Sequence, residues 1–166
     1  MCIRDSLEGP IANWLQTVFL EDWAYALEKD PKNEPADIDL LLPDAPEGPL
    51  PVQIITSGPD NGLQAIYRAH LAAINAAEER VWLTTPYFVP TEAALAALTN
   101  ASLRGVDVQL LVPRRSDSAL VTAAARSYYD ELIRCGVRVY EYKARMLHSK
   151  TLVVDDNIAI IGTCLL

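Results

Sequence analysis

From residue 10 to residue 27 the apolar side chains fall at Ile11, Trp14, Leu15, Val18, Phe19 and Trp23. These are the three- and four-residue steps of one helical face, and they predict a helix within residues 7–28. Pro10 suits the first turn, where its missing N–H costs nothing. The stripe of Trp14, Phe19 and Trp23 reads as a packing face rather than a lipid wedge. The pattern then stops. Residues 29–50, together with Pro51, hold six of the chain's 11 prolines. Proline at that density cannot hold a regular helix and predicts a stiffened linker or surface loop.

Beyond the linker, residues 51–163 alternate between two periods. "VQIITSG" (52–58) predicts a strand and "NGLQAIYRAHLAAINAAEE" (61–79) a helix. "RVWLTTPYFVP" (80–90) predicts a strand with a turn, and "TEAALAALTNASLRG" (91–105) a helix closed by Gly105. "VDVQLLVP" (106–113) is a strand, "DSALVTAAARSYYDELIRCG" (117–136) a helix closed by Gly136, and "VRVYEYK" (137–143) a strand. Glycine just past a helical pattern is a stop signal, because it tolerates a left-handed backbone. "LHSKTLVVDD" (147–156) and "IAIIGT" (158–163) follow, too close for a crossover and therefore a hairpin. Strands separated by helices imply an α/β fold: a mostly parallel mixed sheet flanked by helices on both faces.

Composition narrows the class. The chain has 166 residues, 51% hydrophobic and 22% charged, which suits one domain with a sizeable core. No apolar run approaches the roughly 18 residues of a membrane span. No signal peptide pattern opens the chain. A formal charge of −8 argues against a general nucleic-acid binder and against docking on anionic lipid through a basic face. Cys2, Cys135 and Cys164 are far apart, which supports neither a zinc cluster nor a disulfide framework. Cys135 reads as a small buried hydrophobe.

The ends do not continue the neighbouring patterns. "MCIRDS" (1–6) and "CLL" (164–166) resemble the translated ends of a sequencing-library adapter. Both are expected to be scars, and the chain an internal piece of a longer protein.

The chemistry concentrates in "MLHSKTLVVDD", residues 146–156. Alternate side chains of a strand share a face, so His148 and Lys150 project together. An imidazole beside an ammonium at the mouth of a sheet suits a phosphodiester. The imidazole attacks phosphorus or moves a proton, and the ammonium neutralises the non-bridging oxygens. By itself a lone His-x-Lys reads first as the exposed start of a strand, and its surroundings decide otherwise.

"HSKTLVVDDNIAIIGT" resembles the signature of the phospholipase D superfamily: His-x-Lys, four residues, Asp, then six residues to Gly-Thr. His148, Lys150, Asp155, Gly162 and Thr163 fall in place. "VQIITSGPD", "TPYFVPTEAALAAL", "RGVDVQLLVP", "CGVRVYEY" and "EGPIANWLQTVFLEDW" resemble successive segments of bacterial cardiolipin synthases. The resemblance implies the C-terminal half of such an enzyme. Two phosphatidylglycerols would become cardiolipin and glycerol through a phosphohistidine, without metal or cofactor. His148 would be the general acid and later the base, Lys150 the phosphate clamp, and Thr163 a donor beside Gly162. Asp155 belongs to the catalytic signature, although its place past the strand points to fixing local structure. The implied partners are a phospholipid substrate, a missing N-terminal half with a second motif, and a membrane surface. The implied location is the bacterial cytoplasmic membrane.

The chain departs from the pattern in holding one motif. His70 has Ala72 where a lysine would stand and reads as a packing or capping histidine. "CLL" replaces the asparagine usual after Gly-Thr. Tyr87 follows a strand's carboxyl end, and Ser57 lies in "SGPD" after another, so both are candidates to line the pocket. Packing and a plain turn fit these positions too. Arg114 or Arg115 would be available to a lipid phosphate, or merely exposed. Two other functions stay open: a phosphodiesterase or nuclease that completes its site by homodimerisation, and a non-catalytic module that packs against a partner half.

Overall fold

Parallel strands need a crossover between them, and the chain supplies two. The computed structural model describes residues 6–27, 47–58, 62–144 and 147–162. The chain divides between Thr56 and Ser57 into two units.

The smaller unit contains α1 (Ile11–Ala26), at the place the apolar stripe predicts. Among its residues only Ala24 is buried, so the expected packing stripe is exposed, with Phe19 and Trp23 stacked 5.8 Å apart. Most of the linker at 29–50 lies outside the described residues, as do Met1–Asp5 and Cys164–Leu166 of the expected scars; residues 47–50 form neither helix nor strand. The strand expected at 52–58 is not formed either. Its alternation supplies side chains suited to a sheet, but a strand exists only where a neighbour accepts its backbone bonds.

In the larger unit α2 (Ala65–Ala76) leads into β1 (Arg80–Thr84), and α3 (Glu92–Leu103) crosses to β2 (Asp107–Pro113). The second crossover, to β3 (Arg138–Tyr142), uses α4 (Ala119–Ser127) and α5 (Tyr129–Arg134). One helix is predicted there, and a tight turn at Tyr128 divides it. The Tyr128 N–H bonds back only three residues, to Ala125, and the Ser127 hydroxyl donates to the Ala124 carbonyl. Such local side-chain bonding bends helices. The Tyr128 ring then meets Phe88 edge-on at 6.2 Å. β4 (Thr151–Val154) and β5 (Ile158–Ile161) form the expected hairpin.

The sheet runs β3-β2-β1-β4-β5. β1, β2 and β3 are mutually parallel, while β4 and β5 add antiparallel pairings. The α/β class and a mixed sheet with helices are as expected, but the pairings are two parallel and two antiparallel rather than mostly parallel, and among the described residues the helices cover one face rather than both. Val81, Leu83, Val108, Leu110, Leu152 and Val154 point to one face and are buried under Ile74, Leu98 and Leu132 of the helices. Each such side chain contributes about 1.5–3 kcal/mol of transfer free energy. The other face shows Trp82, Tyr140 and Ile161 to solvent.

Local signals mark the starts of α3 and α4 and the end of α5. Thr91 and Ser118 cap α3 and α4, accepting the amides of Ala94 and Val121. Gly136 follows α5 with φ +94°, and an added Cβ would stand 3.0 Å from Ser102 Oγ. Gly136→Ala is therefore expected to lower the unfolding free energy by about 1–2 kcal/mol. Gly62→Ala, in open space at an ordinary φ, should stay within about 0.5 kcal/mol. Urea midpoints of the two variants against the parent check this.

Candidate active site

The pairing of β4 with β1 decides which loops meet. Thr151 lies opposite Thr84, so the entrance to β4 sits at the carboxyl end of β1. β2 runs parallel to β1, and the loop after it opens at the same end. Loops at this end of a parallel sheet are where such folds bind ligands.

β4 is shorter than the strand expected over 147–156. Past the end of β1 the chain offers β4 no backbone donor: the Thr85 N–H donates to the Leu111 carbonyl on the other side, and Pro86 has no N–H. Residues 147–150 therefore leave the ladder. Leu147 and Ser149 are buried, while His148 is exposed and Lys150 half-buried. The two candidates do project together. Lys150 Nζ lies 3.5 Å from each imidazole nitrogen and 3.3 Å from the His148 carbonyl oxygen, to which it donates.

Tyr87 joins them. Phe88 is buried beneath the loop after β1, and the Thr85 hydroxyl donates to the Tyr87 carbonyl. The Tyr87 ring meets the His148 ring edge-on, centroids 6.1 Å apart at 79°. Its hydroxyl donates to Asp117, 2.8 Å from both carboxylate oxygens. That bond, followed by burial and the carboxylate's charge, raises the phenol's pKa above its ordinary value. The phenol therefore keeps its proton. The sequence reading singled out Arg114 and Arg115 in this loop and missed Asp117; the available signal was a carboxylate in the loop after β2.

Gly162 lies beside the pair through its backbone, its N–H donating to the Lys150 carbonyl at 3.2 Å. A Cβ there would meet nothing within 4 Å, so the space over this backbone is open. Thr163 lies outside the described residues. Ser57 is exposed in a segment of irregular structure, and among the described residues no bond joins it to the pair. Arg114 and Arg115 are exposed. His70 bonds the Ile66 carbonyl through Nδ1 at 2.7 Å, a bond one turn back inside α2 rather than a helix cap.

Asp155 is not brought to this group. It stands past the far end of β4, beside the start of β1. Four strand residues separate it from Lys150, a span of about 16 Å at the usual rise. Its carboxylate accepts the amides of Glu79 and Arg80 at 2.9 Å and of Glu78 at 3.2 Å, while its own N–H donates to the Arg80 carbonyl. Asp155 has φ +49°, a left-handed backbone that aspartate tolerates better than most residues. The Arg80 amide bond, then that of Glu79, holds its pKa below the ordinary carboxylate range.

Comparisons with known proteins point to one family. A family model described as "Cardiolipin synthase, PLD-like domain" matches residues 70–164. A cardiolipin synthase A of Pseudomonas syringae is 46% identical over 156 residues, covering 93% of this chain and 31% of that protein. A cardiolipin synthase of Geobacillus kaustophilus is 41% identical over 164 residues, covering 95% and 31%. The chain thus spans about a third of the length of the curated relatives it matches. Among solved structures, Nuc of Salmonella typhimurium, a phospholipase D family member, shares the fold. It matches with TM-score 0.50 and 24% identity over 60% of this chain and 63% of that one.

Asp155 makes acid stability testable. A folded pKa below the unfolded value of about 3.9 gives stability that is fully present above that value. It is lost as pH falls through the folded pKa. Asp155→Asn keeps one acceptor oxygen for the Glu79 and Arg80 amides but removes the charge and sets an amide donor against the Glu78 N–H, so it should destabilise the chain at pH 7. The gap from the parent should narrow as the pH is lowered into the acid range. Urea unfolding at pH 7 and in acid checks this, and a constant gap would contradict it.

Proposed function

Because this chain belongs to the cardiolipin synthase family of phospholipase D-like domains, we propose that it supplies one histidine–lysine pair to a phosphatidyltransferase. The observation that carries the proposal is the solvent-facing His148 with Lys150 Nζ 3.5 Å from both ring nitrogens. An imidazole can exchange a proton with an alcohol, and a neighbouring ammonium stabilises the charge that builds on phosphate oxygens.

The substrate is phosphatidylglycerol. A second histidine, from another copy of the motif outside this chain, attacks phosphorus and forms a P–N bond. The P–O bond to glycerol breaks, and His148 gives its proton to the leaving oxygen. His148 then takes the proton from the headgroup hydroxyl of a second phosphatidylglycerol. That oxygen attacks phosphorus, the P–N bond breaks, and cardiolipin leaves. Glycerol is the other product, and the histidines return to their starting protonation.

Lys150 holds the non-bridging oxygens through both steps. The open backbone at Gly162 leaves room for the phosphoryl group, with Thr163 a further donor. Asp155 acts as a positioning residue: its bonds to the amides of residues 78–80 lock β4 onto β1. The reaction takes place at the cytoplasmic membrane, because both substrates are bilayer lipids. Among the described residues no helix is long and apolar enough to cross a membrane.

His148→Ala in the full-length gene is expected to lower phosphatidyl transfer by about 10²–10⁴-fold, the usual loss for a general acid–base group. Conversion of phosphatidylglycerol vesicles to cardiolipin, followed by lipid mass spectrometry, reads this. A variant within about tenfold of the parent overturns the assignment. The 166-residue chain alone carries one histidine of the two required and should not turn over.

A further inference from the structure

The structure ties the His148 ring to a residue that no motif includes. Tyr87 and Asp117 come from different loops, after β1 and after β2, yet the Tyr87 hydroxyl bonds both Asp117 oxygens at 2.8 Å. The other side of the same ring meets the chemistry: Tyr87 and His148 stand edge-on with centroids 6.1 Å apart.

Asp117 is itself held. Ser116 Oγ donates to the Ser118 carbonyl at 2.6 Å and lies 2.9 Å from Thr122 Oγ1, while the Ser118 N–H donates back to Ser116 Oγ. Ser118 also caps α4 through the Val121 amide. The two residues flanking Asp117 are thus locked to the first turn of a helix. Thr85 and buried Phe88 fix the backbone on either side of Tyr87.

We propose that Asp117 and Tyr87 are positioning residues, a tether that sets the orientation of the His148 imidazole. The proposal rests on the reading of His148 as a proton-transfer group. An exposed histidine samples several rotamers, and a ring turned away from the scissile bond transfers nothing. Lys150 alone would not stop this, because its long flexible stem moves with the imidazole. A phenol ring pinned at its far end does. The raised pKa of the phenol agrees with a hydroxyl proton committed to Asp117. Tyr87, expected from sequence to line the substrate pocket, then acts on the reaction through His148.

The test uses two readouts. In the full-length enzyme, Tyr87→Phe keeps the ring and removes the bond, and Asp117→Ala removes it from the other end. Each should lower kcat about 10- to 100-fold, the cost of a misplaced group, with KM within about twofold. The double variant should lose no more than either single one, since both break one contact. Asp117→Asn retains an acceptor and should recover part of the loss.

In the 166-residue chain, the two histidines make ring NMR direct, with His148→Ala assigning the signals. Both single variants should move the His148 ring resonances by the same amount toward those of a free imidazole. His70, bonded to the Ile66 carbonyl within α2, should stay in place and report an intact fold. Unmoved His148 resonances, or additive losses in the double variant, overturn the tether. An active His148→Ala enzyme instead overturns the functional reading, and the resonance shifts would stand regardless.

Discussion

The antiparallel register of β4 on β1 carries the rest of this structure. Thr84 opposite Thr151 and Val81 opposite Val154 put the His148–Lys150 segment at the carboxyl end of β1. There it meets the loops that follow two parallel strands. A slip of one residue would turn Leu152 and Val154 out of the core and exchange the two faces of the strand. Two features at opposite ends resist it. The buried pair fills space under the helices, and Asp155 accepts three consecutive amides where β1 begins. The aspartate of the motif thus fixes one end of the strand, while the histidine of the motif stands exposed beyond the other.

The end of the ladder matters as much as its register. Pro86 cannot donate, and Thr85 bonds β2 rather than β4. Residues 147–150 are consequently free of the β1 ladder, and His148 faces solvent instead of a neighbouring strand. A chain carrying −8 overall still presents a cation here. Among the described residues, Arg80, Arg126 and Arg138 pair with Asp156, Glu141 and Asp107. The contacts of the Lys150 ammonium are instead to His148. Exposed pairs of the first kind add little stability. An ammonium set against an imidazole, beside an open backbone, is an arrangement that an approaching phosphate can exploit.

Much of this was legible before any coordinates. The two-residue spacing of His148 and Lys150 places both on one side of an extended segment wherever that segment goes. The periodicity of 61–79 and 91–105 locates α2 and α3, which form over the narrower spans 65–76 and 92–103, and Gly105 and Gly136 mark where the helical patterns end. These features depend on neighbours a few residues apart, so local stereochemistry decides them. The split at Tyr128 escaped notice because a core contact with Phe88 and a serine back-bond compete with a helical pattern that is otherwise continuous.

What the chain could not declare by itself is which distant groups meet. The strand expected at 52–58 has the right alternation and no ladder, since pairing depends on an available edge and not on side chains. Tyr87 and Asp117, 30 residues apart, become partners only when the sheet sets two loops side by side. Asp155 lies within eight residues of His148 in sequence, yet β4 holds the two at opposite ends. Residue spacing determined the imidazole–ammonium pair; the sheet, by fixing register and strand ends over long separations, decided what surrounds it.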